Sequence, residues 1–158
     1  MTNAQRIAMF LLRMTLGWMY FWAGITKVVD PTWSAAGFLK GAKTFSGLFA
    51  WFGSPGMLPL TDFLNEWGLT LLGISLILGI GIRLSSKLGI ALMVLYYLPI
   101  LDFPYPNPHA FLVDEHIIYI AALLVLSSLH AGRIWGLGER IAALPFVAKY
   151  PKLQQWIV

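Results

Sequence analysis

The chain has 158 residues, of which 58% are hydrophobic and 11% charged, with no cysteine and a formal net charge of +4. That balance excludes an ordinary water-soluble domain, in which about a quarter of residues are charged, and the missing thiols exclude disulfides, cysteine-held iron–sulfur clusters and dithiol chemistry. The basic excess is not a nucleic-acid footprint either, because its residues flank apolar runs, the pattern that orients membrane segments.

The first apolar run, from about Ala4 to Val29, is long enough at ~1.5 Å per residue to cross a ~30 Å hydrocarbon layer. Arg6 ahead of it and Ser34-Ala35-Ala36 behind it would also fit a cleaved signal peptide. The run is too long for an ordinary signal core and is interrupted by Arg13, so it is read as a spanning helix. Steps of four, three, four and three along it pick out Arg13, Gly17, Tyr20, Gly24 and Lys27, a single helix face with a cation at each end. A charge as deep as Arg13 costs at least ~2.5 kcal/mol to insert, so it must face the bundle interior or water. It either bonds carbonyls of a neighbouring helix or anchors an anion or a ligand's carbonyl oxygen.

Residues 30–65 are too polar and too punctuated to span. Asp30-Pro31-Thr32 turns the chain, Trp33, Phe38, Phe45, Phe49, Trp51 and Phe52 gather aromatic surface beside Lys40 and Lys43, and Gly53-Ser54-Pro55-Gly56 stops the segment. It reads as an interfacial or re-entrant helix, serving as an anchor or as a lid over a site. The second and third spans run from about Glu66 to Ile82 and from about Ser86 to Leu101, joined by the basic stretch Arg83 to Lys87, and their glycines permit close helix approach. Pro99 kinks or ends the third, and the loop Asp102 to Pro108 is stiffened by three prolines. The fourth span covers about Asp114 to Ala131. The tail 132–158 then carries Arg133, Arg140, Lys149 and Lys152, with a short amphipathic helix expected along the inner surface.

The expected fold is therefore an all-α membrane protein, one integral domain forming a four-transmembrane-helix bundle. Basic turns share one side and Asp30, Asp62, Glu66, Asp102, Asp114 and Glu115 share the other, which puts both termini in the cytoplasm and the protein in the cell membrane.

At the outer end, Lys27 meets the acids Asp102, Asp114 and Glu115, as an interhelical ion pair or as part of a polar binding site. Asp114-Glu115-His116 sets two carboxylates and an imidazole within one turn, a cluster able to handle protons near neutral pH. His116 and His130, fourteen residues apart, would be ~21 Å apart along a helix and cannot share a metal, so no metal site is expected. Trp18, Tyr20, Phe21, Trp22, Tyr96, Tyr97 and Tyr119 are candidates to line a pocket for a flat ring such as a quinone, although aromatics in membrane helices commonly only pack or mark the interface.

Arg13 followed by Gly17, Trp22-Ala23-Gly24-Ile25-Thr26-Lys27, Gly79-Ile80-Gly81-Ile82-Arg83, Asp114-Glu115-His116-Ile117-Ile118-Tyr119 and Ala131-Gly132-Arg133-Ile134-Trp135-Gly136 together resemble the DoxX/DoxD family of small four-helix membrane proteins. For the DoxD branch the resemblance implies the membrane subunit of a thiosulfate:quinone oxidoreductase, working with a second, DoxA-type subunit. On that reading Arg13 and Lys27 bind oxyanion or quinone oxygen, Glu115, His116 and Asp114 handle protons, and Trp22, Tyr20, Tyr119 and Asp102 complete the site. The expected associates are membrane lipid, membrane quinone as electron acceptor, and a second subunit or further copies of the chain. No electron carrier is evident in the residues themselves. The alternative is a non-catalytic scaffold or small-ligand-binding subunit; a small transporter is less favoured, because paired broken helices are missing.

Overall fold

The computed structural model describes residues 1–150, apart from the side chains of Phe146 and Ala148. Among the described residues there are eight α-helices and no strands: α1 (Asn3–Val28), α2 (Ala36–Lys40), α3 (Ser46–Phe52), α4 (Leu58–Leu78), α5 (Ile82–Ile100), α6 (Glu115–Ser128), α7 (Gly138–Ala142) and α8 (Pro145–Ala148). By length and composition, α1 is the one described helix long and apolar enough to cross a membrane. Helix α4 carries Asp62, Asn65 and Glu66 in its first half, and α6, with 14 residues, is ~21 Å long.

Helix boundaries differ from the sequence reading where polarity rather than backbone chemistry set them. Helix α4 starts at Leu58 rather than near Glu66, with Pro59 in its first turn, where a missing N–H costs nothing. Arg83 and Lys87 lie inside α5, not in a turn before it. The actual turn is Gly79-Ile80-Gly81, and both glycines are left-handed, with φ of +70° and +65°. The segment 30–65 contains two short helices, α2 and α3, instead of one. The expected tail helix is divided between α7 and α8, and its remainder, including Trp156, lies outside the described residues.

α1 packs chiefly on α4, and α5 on α6; the seam between α4 and α5 is looser. Glycine makes the first pairing close. A Cβ at Gly17 would come within 3.0 Å of Leu76 Cβ and the Ile77 nitrogen, one at Gly24 would collide with Thr70, and one at Gly73 with the Phe21 backbone. The glycines of the α1 stripe therefore mark where α4 lies. Leu16, Leu69, Leu72, Leu76, Leu123 and Leu126 fill the centre of the bundle.

A smaller cluster of Ala35, Leu39 and Phe49 sits beneath α2 and α3, against Trp33, Phe52, Leu58 and Leu98. This segment is tied down by polar bonds at its margins. The Ala35 N–H donates to Asp62 Oδ1 (2.9 Å), the Lys43 N–H to the Pro99 carbonyl (2.7 Å) and the Thr44 hydroxyl to the Leu101 carbonyl (2.6 Å). It lies as a cap across the ends of α4 and α5.

At the opposite end, the turn after α6 folds back over the α4–α5 turn. The Leu137 N–H donates to the Leu78 carbonyl (2.9 Å), and Trp135 meets Phe10 of α1 edge-on at 5.2 Å. Gly73→Val, which forces side-chain volume into the Phe21 backbone, is expected to cost about 1–3 kcal/mol. Gly68→Ala, whose added Cβ meets nothing closer than Leu92 Cδ2 at 4.0 Å, should leave the melting temperature in detergent unchanged or slightly raised.

Candidate functional site

The five-residue stripe of α1 is divided between two stations. Arg13, Gly17, Tyr20 and Gly24 are buried and Lys27 is half-buried, but Arg13 and Lys27 are fourteen residues apart, ~21 Å along the helix. They cannot hold the same oxygen of one ligand.

Arg13 belongs to the end where the chain folds back after α6. It is 1% exposed, and its Nη1–H donates to the Ala131 carbonyl at 2.9 Å. Its guanidinium carbon lies 5.5 Å from the centre of the Phe10 ring, a cation–π distance. The backbone closes around it: a Cβ at Gly79 or Gly136 would meet Nη1. Its Nε is buried with no hydrogen-bond partner among the described residues. Nearby, Arg83 Nη2 contacts His130 Nε2.

The polar groups at the other end converge from four helices. Lys27 Nζ donates to Tyr96 Oη (3.2 Å) and to Asn65 Oδ1 (3.4 Å), and the Tyr96 hydroxyl also donates to Asn65. The ammonium stands 5.1 Å from the Trp33 ring centre and 5.5 Å from that of Tyr96, so aromatic faces replace part of its lost hydration. The carboxylate whose charge reaches it is Glu66, on α4. The expected pairing of Lys27 with Asp102, Asp114 and Glu115 does not form. Asp102 is exposed and closes a turn with Tyr105, Glu115 is exposed at the first position of α6, and Asp114 is committed elsewhere.

Asp114 is the N-cap of α6. Its Oδ1 accepts from the backbone N–H of His116 (3.0 Å) and Ile117 (3.5 Å), while Oδ2 pairs with His116 Nδ1 at 2.8 Å. The imidazole is thereby held with Nε2 outward from the pair, stacked on Tyr96 at 5.9 Å and edge-on to Tyr119 at 6.4 Å. Tyr119 in turn meets Tyr20 edge-on at 5.9 Å, and the Tyr20 hydroxyl is buried without a hydrogen-bond partner among the described residues. Asp114, Glu115 and His116 offer ligand atoms within 4.8 Å of one another, but both Asp114 oxygens are already engaged by the cap and the ring. Outside the helices, the exposed Asp30 carboxyl accepts from the Thr32 hydroxyl (2.7 Å) and N–H (2.9 Å), which hold it below the usual carboxylate range. That turn keeps its charge at neutral pH and loses it only as the pH falls through this lowered value.

Beside this cluster is a cavity of ≈ 110 Å³ between the cap segment and the α4–α5 pair. Asn65 and Tyr96 form its polar wall, and Phe38, Phe49 and Phe52 contribute rings from above. Trp22 is not part of it: that side chain is 57% exposed and stacks on Trp18 at 6.0 Å, on the outward face of α1. The residues that sequence reasoning missed are Asn65 and Trp33, together with the central position of Tyr96. Asn65 had a readable signal, an amide beside Glu66 in an otherwise apolar helix. Trp33 had none, because only the fold of the chain after α1 brings it over Lys27.

A family model described as DoxX matches residues 8–100, more than half of the chain. Arg13, Lys27, Asn65 and Tyr96 fall within the matched stretch, whereas Asp114, His116 and Tyr119 lie beyond it. No curated protein and no solved structure matches the chain. Removing the α6 cap with Asp114→Ala is expected to cost about 1–2 kcal/mol, whereas Asp114→Asn, which keeps a capping oxygen, should cost less than half of that in denaturant titrations of the detergent-solubilised protein.

Proposed function

Because the chain belongs to the DoxX family of membrane proteins, we propose that it is the membrane subunit of a quinone-linked oxidoreductase, taking electrons from thiosulfate or a related small sulfur anion. The observation that carries this reading is the convergence of Lys27, Asn65, Tyr96 and the Asp114–His116 pair beside an aromatic-walled cavity at one end of the bundle. A quinone ring asks for flat apolar walls, a donor to each carbonyl oxygen, and a proton source when the oxygens take up charge. Phe38, Phe49 and Phe52 supply the walls, and the Lys27 N–H not given to Asn65 or Tyr96, together with the Asn65 side-chain NH₂, supplies donors. His116, oriented by Asp114, supplies an imidazole nitrogen able to hold or pass a proton. Two electrons and two protons convert the quinone to the quinol. The protons pass by way of His116, and the electrons come from the sulfur anion, bound by this chain together with a second subunit.

In this reading α1, α4, α5 and α6 are the four spans of the bundle, with residues flanking α6 completing the crossing, and α2 and α3 lie at the outer interface. Arg6, Arg83, Lys87 and Arg133 then share the cytoplasmic side with both termini.

A second reading, a non-catalytic scaffold or ligand-binding subunit, is favoured by one specific observation. Arg13, its glycine walls and the α1–α4 seam are engaged in holding helices together. The two readings separate experimentally by titrating the purified protein with a 6-decyl benzoquinone, followed by tryptophan quenching. Lys27→Met and Tyr96→Phe are each expected to weaken binding about tenfold, the loss of a charge-assisted or buried hydrogen bond. Arg13→Ala should lower the melting temperature while leaving the Kd of the folded protein unchanged. Identical Kd values in wild type, Lys27→Met and Tyr96→Phe would remove the quinone site.

A further inference from the structure

The aromatic-walled cavity does not end at Asn65 and Tyr96. A second, larger hollow of ≈ 540 Å³ runs along the loose seam between α4 and α5, and Leu64, Leu92 and Leu95 line both spaces. From Leu64 the trough follows α4 to Ser75, ~16 Å at ~1.5 Å per residue. Its rim is formed by exposed leucines, Leu71 and Leu88 among them, and its floor is deepened where Gly68 and Gly81 carry no side chain. The polarity of the joined space is one-sided. At the far end, Ser75 donates to the Ile80 carbonyl (2.5 Å) and is bonded to Ser85 at 2.8 Å, while Ser85 lies within bonding distance of the Gly81 carbonyl (3.1 Å). Those hydroxyls are turned to their own backbone and leave the trough an apolar wall. Among the described residues, the polar side chains of the lining that are not turned to backbone carbonyls, Asn65 and Tyr96, lie at the end beside Lys27.

We propose that the two hollows are one site for a single-tailed amphiphile, with the quinone ring under the cap and its isoprenoid chain lying in the α4–α5 trough. The inference rests on the quinone reading above and adds to it the part of the substrate that the protein selects. A two-chained phospholipid does not suit the space, because the trough is a single groove and the polar end is walled by aromatic rings. The trough opens along the side of the bundle, so a tailed quinone reaches the ring site sideways from the bilayer, without leaving the apolar phase. The tail supplies affinity through burial, and the ring end supplies orientation.

Gly68 gives the test. It lies one turn from Leu64, where the hollows join, and an added Cβ there meets only Leu92 Cδ2 at 4.0 Å. Gly68→Phe therefore fills the trough without disturbing the ring site. The probes are 2,3-dimethoxy-5-methyl-1,4-benzoquinone and its 6-decyl derivative, titrated into wild type, Gly68→Phe and Lys27→Met in the same detergent. Partition into micelles is then common to all three proteins. The expected result is about a tenfold loss for the decyl probe in Gly68→Phe with no change for the tail-less one, and a loss of both probes in Lys27→Met. An unchanged decyl affinity in Gly68→Phe, with both probes still weakened by Lys27→Met, overturns the trough and leaves the ring site standing. Failure of wild type to bind either probe removes the ring site and the trough with it. A change in oligomeric mass in Gly68→Phe, with unaltered decyl binding, assigns the trough to a second copy of the chain and overturns the proposal. If Gly68→Phe does not fold, Ala91→Phe, on the exposed wall of the same trough, is read by the same criteria.

Discussion

A guanidinium that is 1% exposed inside an apolar bundle is the constraint on which the remainder of this structure depends. Arginine keeps its proton, so Arg13 cannot escape burial by neutralising; it has to be surrounded by acceptors and polarisable surface. The chain meets that demand with the Ala131 carbonyl and the Phe10 ring, and with two turns able to approach closely because Gly79 and Gly136 have no side chain. The left-handed turn at Gly79 and the fold-back after α6 are parts of one solution: each lets backbone come near enough to replace water around a charge.

At the other end the same helix presents its second cation under different terms. Lys27 is only half-buried and is held by an amide, a phenol and two ring faces rather than by a carboxylate in direct contact. A lysine bonded to neutral partners retains its full charge for a third party, whereas a lysine locked to an acid has spent most of it. Asp114, one of the acids that charge alone would pair with it, is taken up by the α6 cap and His116. The site therefore keeps a cation and an oriented imidazole against the same Tyr96 ring. That division of labour is what makes the Lys27 end chemically more interesting than the Arg13 end.

Much of this was legible in the residues, and the parts that were not share a cause. Hydrophobic runs and their punctuation located α1, α5 and α6 within a few residues, and the spacing of Arg13, Gly17, Tyr20, Gly24 and Lys27 identified the buried face of α1 before any partner was known. DoxX membership was legible from short motifs in order, and the family match over residues 8–100 agrees with it. What failed was the assignment of partners across the bundle. Formal charge suggested that Lys27 would meet Asp102, Asp114 and Glu115, but an aspartate directly before a helix is drawn to the free N–H groups of its own first turn, and Asp102 is held in its own tight turn. Trp22 was chosen as an aromatic able to stack on a flat ring. Its position on the helix turns it outward, since the inward face is already occupied by the stripe.

The bond between Arg13 and Ala131 joins residues 118 positions apart, and this gives the fold an order in time. A chain emerging from the ribosome presents Arg13 with its first helix, while the carbonyl that receives it arrives only after α6 has been made. Until then the charge stays with water or lipid headgroups at the membrane surface, and α1 cannot settle to its final depth. Closure of the bundle is thus signalled by the disappearance of one cation from the surface. A membrane quality-control protease that recognises unsatisfied charge would distinguish a finished copy of this protein from an unfinished one by that single residue.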